Sequence, residues 1–118
     1  MILGFALHGT ALAQTFSAAS HGYAAGSAEL AGANDHKKAI KRLKKGLKLE
    51  GFSAFEASTM YQMMGNSYYA TQKNDKAIEA FENAINAGGL SAANQQNLQG
   101  NVAQLNIAEK NYELGALF

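Results

Sequence analysis

The chain has 118 residues, which is enough for one domain. It contains no cysteine, and this excludes disulfides, cysteine-ligated metals, thiol catalysis and a lipid anchor on an N-terminal cysteine. Hydrophobic residues make up 47% of the chain, and there is no proline and no tryptophan, a composition that permits long uninterrupted helices. The net formal charge is only +1, but the charges are distributed unevenly along the chain.

The N-terminal segment 1–13, MILGFALHGTALA, is apolar and carries no lysine, arginine or acidic residue. Ala11-Leu12-Ala13, which precedes Gln14, has the small-x-small form that signal peptidase accepts. We therefore expect residues 1–13 to be the remnant of a signal peptide, and the protein to be periplasmic or otherwise exported. The alternatives are an apolar capping helix and a cytoplasmic location. A membrane-spanning helix would need about 20 residues.

The rest of the chain predicts helices separated by short turns. Asn or Asp marks three tight turns, at residues 32–35, 73–75 and 110–111, and glycine marks the longer connections at Gly51 and Gly88-Gly89. The predicted architecture is therefore all-α, with about three antiparallel hairpins in units of about 17–52, 53–90 and 91–118, the last one incomplete. The predicted helices span residues 17–32, 36–49, 54–72, 75–88, 91–109 and 111–118.

The second predicted helix carries seven of the ten basic residues of the chain. Apolar residues recur between them at helical spacing, so one face packs and the opposite face is basic. Two interpretations remain open: a solvated outer helix, or a contact surface for acidic protein, a membrane surface or another polyanion. Nucleic acid is not expected, because no aromatic residues alternate with the cations. The basic patch consists of Lys37, Lys38, Lys41, Arg42, Lys44, Lys45 and Lys48.

Several short patterns recur at one fixed interval along the chain. The sequence at 51–54, Gly-Phe-Ser-Ala, returns at 89–92 as Gly-Leu-Ser-Ala, and Ala39-Ile40 returns as Ala77-Ile78. The glycines suit helix ends with positive φ, and the serines suit N-caps of the helices that follow. One hairpin of this kind cannot bury its apolar face alone, so the recurrence predicts stacked helical repeats.

The middle of the chain carries the motif Tyr61-x2-Met64-Gly65-x2-Tyr68, followed by Ala77-x3-Phe81-x2-Ala84. It resembles the tetratricopeptide repeat (TPR), in which a small residue on the second helix lets two helices approach closely. The resemblance is strong over 58–91 and weaker elsewhere, and it implies a right-handed solenoid over residues 14–118. Residues 101–112 are similar to those of periplasmic members found in bacteria. The alternative is an amphipathic hairpin with accidental matches.

In TPR proteins the first helix of each hairpin lines a concave groove that binds a protein segment. Here the resemblance implies an uncharged groove rich in amides, which offer donors and acceptors to a peptide backbone. For two of the amides, Asn66 and Asn101, hydrogen bonding between helices is the alternative. The implied groove residues are Gln62, Met63, Asn66, Tyr69, Asn97, Asn101 and Gln104.

The resemblance thus implies a protein interaction scaffold, and we expect it in a cell-envelope assembly. The C-terminal residues Leu114, Leu117 and Phe118 are expected to form an apolar end that pairs with further repeats, another protein or another copy of this chain.

Catalysis is not expected. None of His8, His21 and His36 belongs to a recognisable constellation, and Glu79 and Glu82 fit a solvated helix face. The sequence contains no glycine-rich phosphate loop, no HExxH and no serine nucleophile elbow. We expect no enzyme activity, no cofactor and no metal.

Overall fold

The computed structural model describes residues 18–49 and 51–116, and the side chains within 21–49 and 51–110. These residues form helices and contain no strand, so the prediction of an all-α protein is confirmed. The expected signal segment, residues 1–13, and the side chains of Leu114, Leu117 and Phe118 lie outside this description. The helices are α1 (Ala18–Gly32), α2 (His36–Leu47), α3 (Ala54–Ala70), α4 (Asn74–Asn86) and α5 (Ala92–Ala116).

Two helical hairpins are followed by a single long helix. α1 pairs with α2 and α3 pairs with α4, while α2 packs on α3 and α4 packs on α5. α1 also makes a smaller contact with α3. The interval from the start of α2 to the start of α4 equals the interval from the start of α3 to the start of α5. It is also the interval at which the sequence patterns recur, so the period found in the sequence is the period of the helices.

The predicted turn at Lys110-Asn111 is wrong, because α5 continues through it to Ala116. The tight turns that do form each contain a residue with positive φ, Asn34 at 66° and Gln72 at 63°. Asparagine permits such a turn, but without glycine or proline it does not force a helix to end. The predicted third hairpin, residues 91–118, is therefore one continuous helix over its described part.

The turn between α3 and α4 lies slightly earlier than predicted. It occupies residues 71–73, and Asn74 already belongs to α4. The Thr71 hydroxyl donates to the carbonyl oxygens of Ser67 and Tyr68, both at 3.0 Å, and so closes the last turn of α3.

The N-caps predicted at Ser53 and Ser91 are confirmed. Ser53 Oγ accepts from the Glu56 backbone N–H at 3.1 Å, while the Glu56 carboxylate accepts from the Ser53 N–H at 2.7 Å. This reciprocal pair is a capping box, which satisfies two backbone donors at the start of α3. Ser91 Oγ accepts from the Asn94 N–H at 3.2 Å and caps α5.

The two glycines of the second long connection have different roles. Positive φ occurs at Gly51 (89°), as predicted, but in the second connection it occurs at Gly88 (79°) and not at Gly89. Gly89 instead lies against the start of α3, where a side chain would overlap the backbone of Ala54. This residue is a glycine because two segments of backbone approach closely.

The apolar core runs through α2 to α5 and contains most residues of the repeat motif, while Tyr61 is partly buried against it. Gly65 lies against Phe81, and a side chain at this glycine would overlap the aromatic ring. The small residues Ala77 and Ala84 of α4 are completely buried, which allows α3 and α4 to pack closely. The cluster comprises Leu43, Met60, Met64, Tyr68, Ala77, Ala80, Phe81, Ala84, Leu98, Val102 and Leu105.

Candidate functional site

A pocket of about 260 Å³ opens between α3 and α5. These two helices do not pack against each other directly, because α4 contacts both and forms the floor between them. We call the surface around this pocket the α3–α5 groove. Its lining residues are Asn66, Tyr69, Phe81, Asn101, Gln104 and Leu105.

The α3–α5 groove has an apolar floor and a polar rim. Phe81 of α4 and Leu105 of α5 are buried. The rim residues Asn66, Asn101 and Gln104 are exposed, and the Tyr69 side chain is 59% exposed. The described lining residues carry no charge, so the groove offers apolar contact below and hydrogen-bonding groups at its edges.

The amides of the groove are free in the described structure. Among the described residues, no hydrogen bond involves the side chain of Asn66, Asn101 or Gln104. The interhelical hydrogen bonds considered as an alternative for Asn66 and Asn101 are therefore not formed between the side chains that the structure describes. These amides are available to a ligand.

The structure brings together four of the seven predicted groove residues. Gln62 and Met63 are half-buried on α3 and lie outside the pocket, and Met63 packs against the core. Asn97 is exposed on α5, also outside the pocket. The prediction of the groove missed both floor residues. Phe81 was recognised only as a residue of the repeat motif, and the spacing of Leu105 from Leu98 and Val102 is typical of the buried side of a helix.

The basic patch on α2 is exposed but faces two different neighbours. On one side, Arg42 donates to the Gly22 carbonyl oxygen at 3.0 Å and lies 5.3 Å from the centre of the Tyr23 ring. On the same side Lys38 forms an ion pair with Asp35 at 3.6 Å. Arg42 and Lys38, on this side of the patch, are therefore already engaged by residues of α1 and by the N-cap of α2.

The other side of the patch faces the turn between α3 and α4. There a cavity of about 280 Å³ is surrounded by lysines from both hairpins, and we call it the lysine pocket. Sequence reasoning missed Lys73 and Lys76, because only the stacking of the hairpins places them beside α2. The lining residues are Lys37, Ile40, Lys41, Lys44, Tyr68, Thr71, Lys73 and Lys76.

The described histidines and paired carboxylates lie at the surface or between helices. His36 Nδ1 lies 3.1 Å from Ser67 Oγ and links α2 to α3. Ser67 is buried, so its hydroxyl is not open to a substrate. His21, Glu79 and Glu82 are exposed on the surface. Within residues 18–49 and 51–116, no three acidic or histidine side chains are grouped as a metal site would require.

None of the helices within 18–49 and 51–116 has both the length and the apolar character needed to cross a bilayer.

No protein-family model matches this chain, and no curated protein matches it significantly.

Proposed function

We propose that the protein is a non-catalytic TPR-like scaffold that binds an extended protein segment in the α3–α5 groove. The observation that carries the proposal is the set of free amides around an apolar floor, with Asn66 on one wall and Asn101 and Gln104 on the other. Export to a cell-envelope assembly is part of the proposal, and it rests on the Ala11-Leu12-Ala13 sequence.

The chemistry of the groove suits an extended peptide. Such a peptide presents N–H and C=O groups along its backbone and points successive side chains in opposite directions. Amide side chains can pair with both kinds of backbone group. Phe81 and Leu105 form an apolar floor for one inserted side chain, and the exposed Tyr69 ring adds a flat contact beside it.

The pocket has room for one side chain of a peptide. Its volume is about 260 Å³. A single anchored side chain, with hydrogen bonds at the rim to the adjoining backbone, fits such a space. The remaining affinity would come from contacts along the surfaces of α3 and α5.

The packing of α3 on α4 supports the TPR-like arrangement. Met64, Gly65 and Tyr68 of α3 meet Ala77 and Phe81 of α4 in the core, at the motif positions where the repeat requires close helix packing. In this arrangement α3 and α5 are the first helices of successive units. The groove between them corresponds to the surface on which the family binds its partners.

The experiment that tests this proposal uses a displayed library of unstructured peptides selected on the full chain. The Asn66→Ala/Asn101→Ala variant removes two rim amides. The matched control, Asn86→Ala/Gln99→Ala, removes two amides from a separate cavity between α4 and α5. Selected peptides should bind the groove variant about thirtyfold more weakly, since each of the two lost hydrogen bonds is worth about 1 kcal/mol and about 1.4 kcal/mol corresponds to a factor of ten in affinity. They should bind the control as tightly as the unaltered protein.

Binding of the same peptides should respond little to salt, because the side chains that the structure describes around the groove are uncharged. Peptides that bind both variants equally, while circular dichroism shows unchanged helicity, would exclude the groove as the binding site. A steep loss of binding between low and high salt would instead point to the basic patch.

A further inference from the structure

A second candidate site, the lysine pocket, lies away from the groove and gathers five positive charges from two hairpins. Three of its lysines lie on α2 and two come from the start of α4 and the turn before it. The ring of buried Tyr68 lies beside two of them. The Nζ atoms of Lys44 and Lys76 lie 6.0 Å and 5.9 Å from the centre of this ring, so one aromatic side chain brings together ammonium groups from both hairpins.

None of the described residues that line the lysine pocket is acidic. An ion pair joins Lys38 to Asp35, and neither of these residues lines the pocket. Three acidic residues lie on α4: Glu79, which lines an adjoining cavity with Lys44 and Lys76, Asp75, which is exposed in the first turn, and Glu82, which lines a different cavity. The five ammonium groups therefore repel one another without a counter-charge among them, and a bound anion would relieve that repulsion.

The N-terminus of α4 adds to this positive potential. α4 has 13 residues, and Lys73 occupies its N-cap position without forming a side-chain capping bond. The first N–H groups of a helix carry a partial positive charge and favour anions. Two of the pocket lysines, Lys73 and Lys76, lie beside these N–H groups, so the helix and the side chains act on the same space.

The residue types indicate which anion would fit. A lysine ammonium is a compact charge with three donors and no fixed plane, and it suits phosphate oxygens, whereas arginine provides the planar fork that pairs with a carboxylate. Five lysines around about 280 Å³ supply more charge than one phosphate carries, which is at most two negative charges near pH 7. We propose that the lysine pocket binds a soluble ligand with two or more linked phosphate groups, such as condensed inorganic phosphate.

This site differs from a membrane-binding surface formed by α2 alone. A flat anionic membrane would contact the exposed basic arc of α2, including Lys38 and Lys45, which lie outside the lysine pocket. Lys73 and Lys76 do not belong to α2, and they matter only if the ligand enters the space between the hairpins. Substitution of Lys73 and Lys76 should therefore affect binding in the pocket, whereas substitution of Lys38 and Lys45 should affect binding to a membrane.

The test is calorimetric titration of the full chain with sodium tripolyphosphate, with orthophosphate as a weaker comparison. The pocket variant is Lys73→Gln/Lys76→Gln, and the control is Lys38→Gln/Lys45→Gln. Each removes two positive charges from exposed side chains, so the net charge of the two variants is equal. We expect tripolyphosphate to bind the pocket variant at least about tenfold more weakly and the control less than about threefold more weakly, because pairing with local charges outweighs screened distant charges.

Three results would overturn the proposal. One is the absence of tripolyphosphate binding to the unaltered protein at millimolar concentration. Another is an equal loss of affinity in both variants, which would show non-specific attraction to net charge. The third is binding only to vesicles that contain phosphatidylglycerol, unaffected by Lys73→Gln/Lys76→Gln. Far-UV circular dichroism of each variant confirms that the helices remain formed.

Discussion

One hydroxyl group, that of Ser58, joins two helices and a connection. Ser58 Oγ donates to the Ala84 carbonyl oxygen at 2.8 Å and accepts from the Gly89 N–H at 2.9 Å. The side chain is completely buried on α3. A single polar group thus satisfies a carbonyl in α4 and a backbone donor in the connection to α5.

We predict that Ser58→Ala lowers the free energy of unfolding by about 2–3 kcal/mol, because two backbone groups lose their partner at a buried position. Ser27→Ala is the matched control. Ser27 is also completely buried, but its hydroxyl has no hydrogen-bond partner among the described residues. Its removal should be neutral or stabilising. Urea unfolding measures both values, and equal losses in the two variants would contradict this role of Ser58.

Alanine substitutions at two glycines should change the stability of the protein in opposite directions. A methyl group at Gly89 would overlap the Ala54 backbone, whereas one at Gly100, which is exposed on α5, would meet nothing within 4 Å. We expect Gly89→Ala to destabilise the protein by about 1–3 kcal/mol through steric strain. Gly100→Ala should stabilise it by about 0.5–1 kcal/mol, because alanine favours the helix. Thermal unfolding would detect the opposite shifts, and a stabilising Gly89→Ala would contradict the close approach.

At the scale of helices, local chemistry explains which boundaries were predictable. A serine N-cap such as Ser53 acts on N–H groups only two or three residues away, so its effect is visible in the sequence. The turn at Asn34 likewise depends on a residue within the turn, since asparagine tolerates the positive φ found there. The prediction of a turn at Lys110-Asn111 was wrong because an asparagine inside a long helical segment can remain helical.

α5 is attached to the rest of the protein through one apolar stripe. Leu98, Val102 and Leu105 are buried against the core, while Ile107 of the same helix is 61% exposed. The stripe follows helical spacing and faces α4. The position of α5, and with it one wall of the groove, therefore depends on these three side chains.

We predict that Leu98→Ala lowers the free energy of unfolding by about 2–4 kcal/mol, since it leaves a cavity in the α4–α5 contact. The control Ile107→Ala should change it by less than about 0.5 kcal/mol, because the side chain is mainly exposed. Chemical denaturation followed by circular dichroism gives both values. Similar effects in the two variants would mean that α5 does not pack on α4 through Leu98.

At the scale of the whole molecule, the sequence could predict parts of the candidate sites but not their complete form. Asn66, Tyr69, Asn101 and Gln104 were predicted from repeat position, and they line one pocket. Met63 has the same kind of repeat position but packs against the core instead. Whether such a residue enters a groove depends on the angle between neighbouring helices, which local sequence patterns do not contain.

The lysine pocket also could not be predicted completely from local sequence patterns. The charge of α2 is evident from its sequence, but Lys73 and Lys76 follow α3, and the whole of that helix separates them from α2 along the chain. They join the pocket because the second hairpin stacks on the first. Contacts between repeat units must therefore be known before all members of such a site can be named.

Each helix packs mainly against its neighbours along the chain. We expect this arrangement to make folding fast. Short loops between neighbouring helices close quickly, and chains dominated by local contacts fold in microseconds to milliseconds. The chain also contains no proline, which removes the commonest source of phases lasting tens of seconds. Stopped-flow dilution from urea should therefore show rapid refolding without such a phase. A dominant phase of tens of seconds would mean that a slow non-local step limits assembly of the helices.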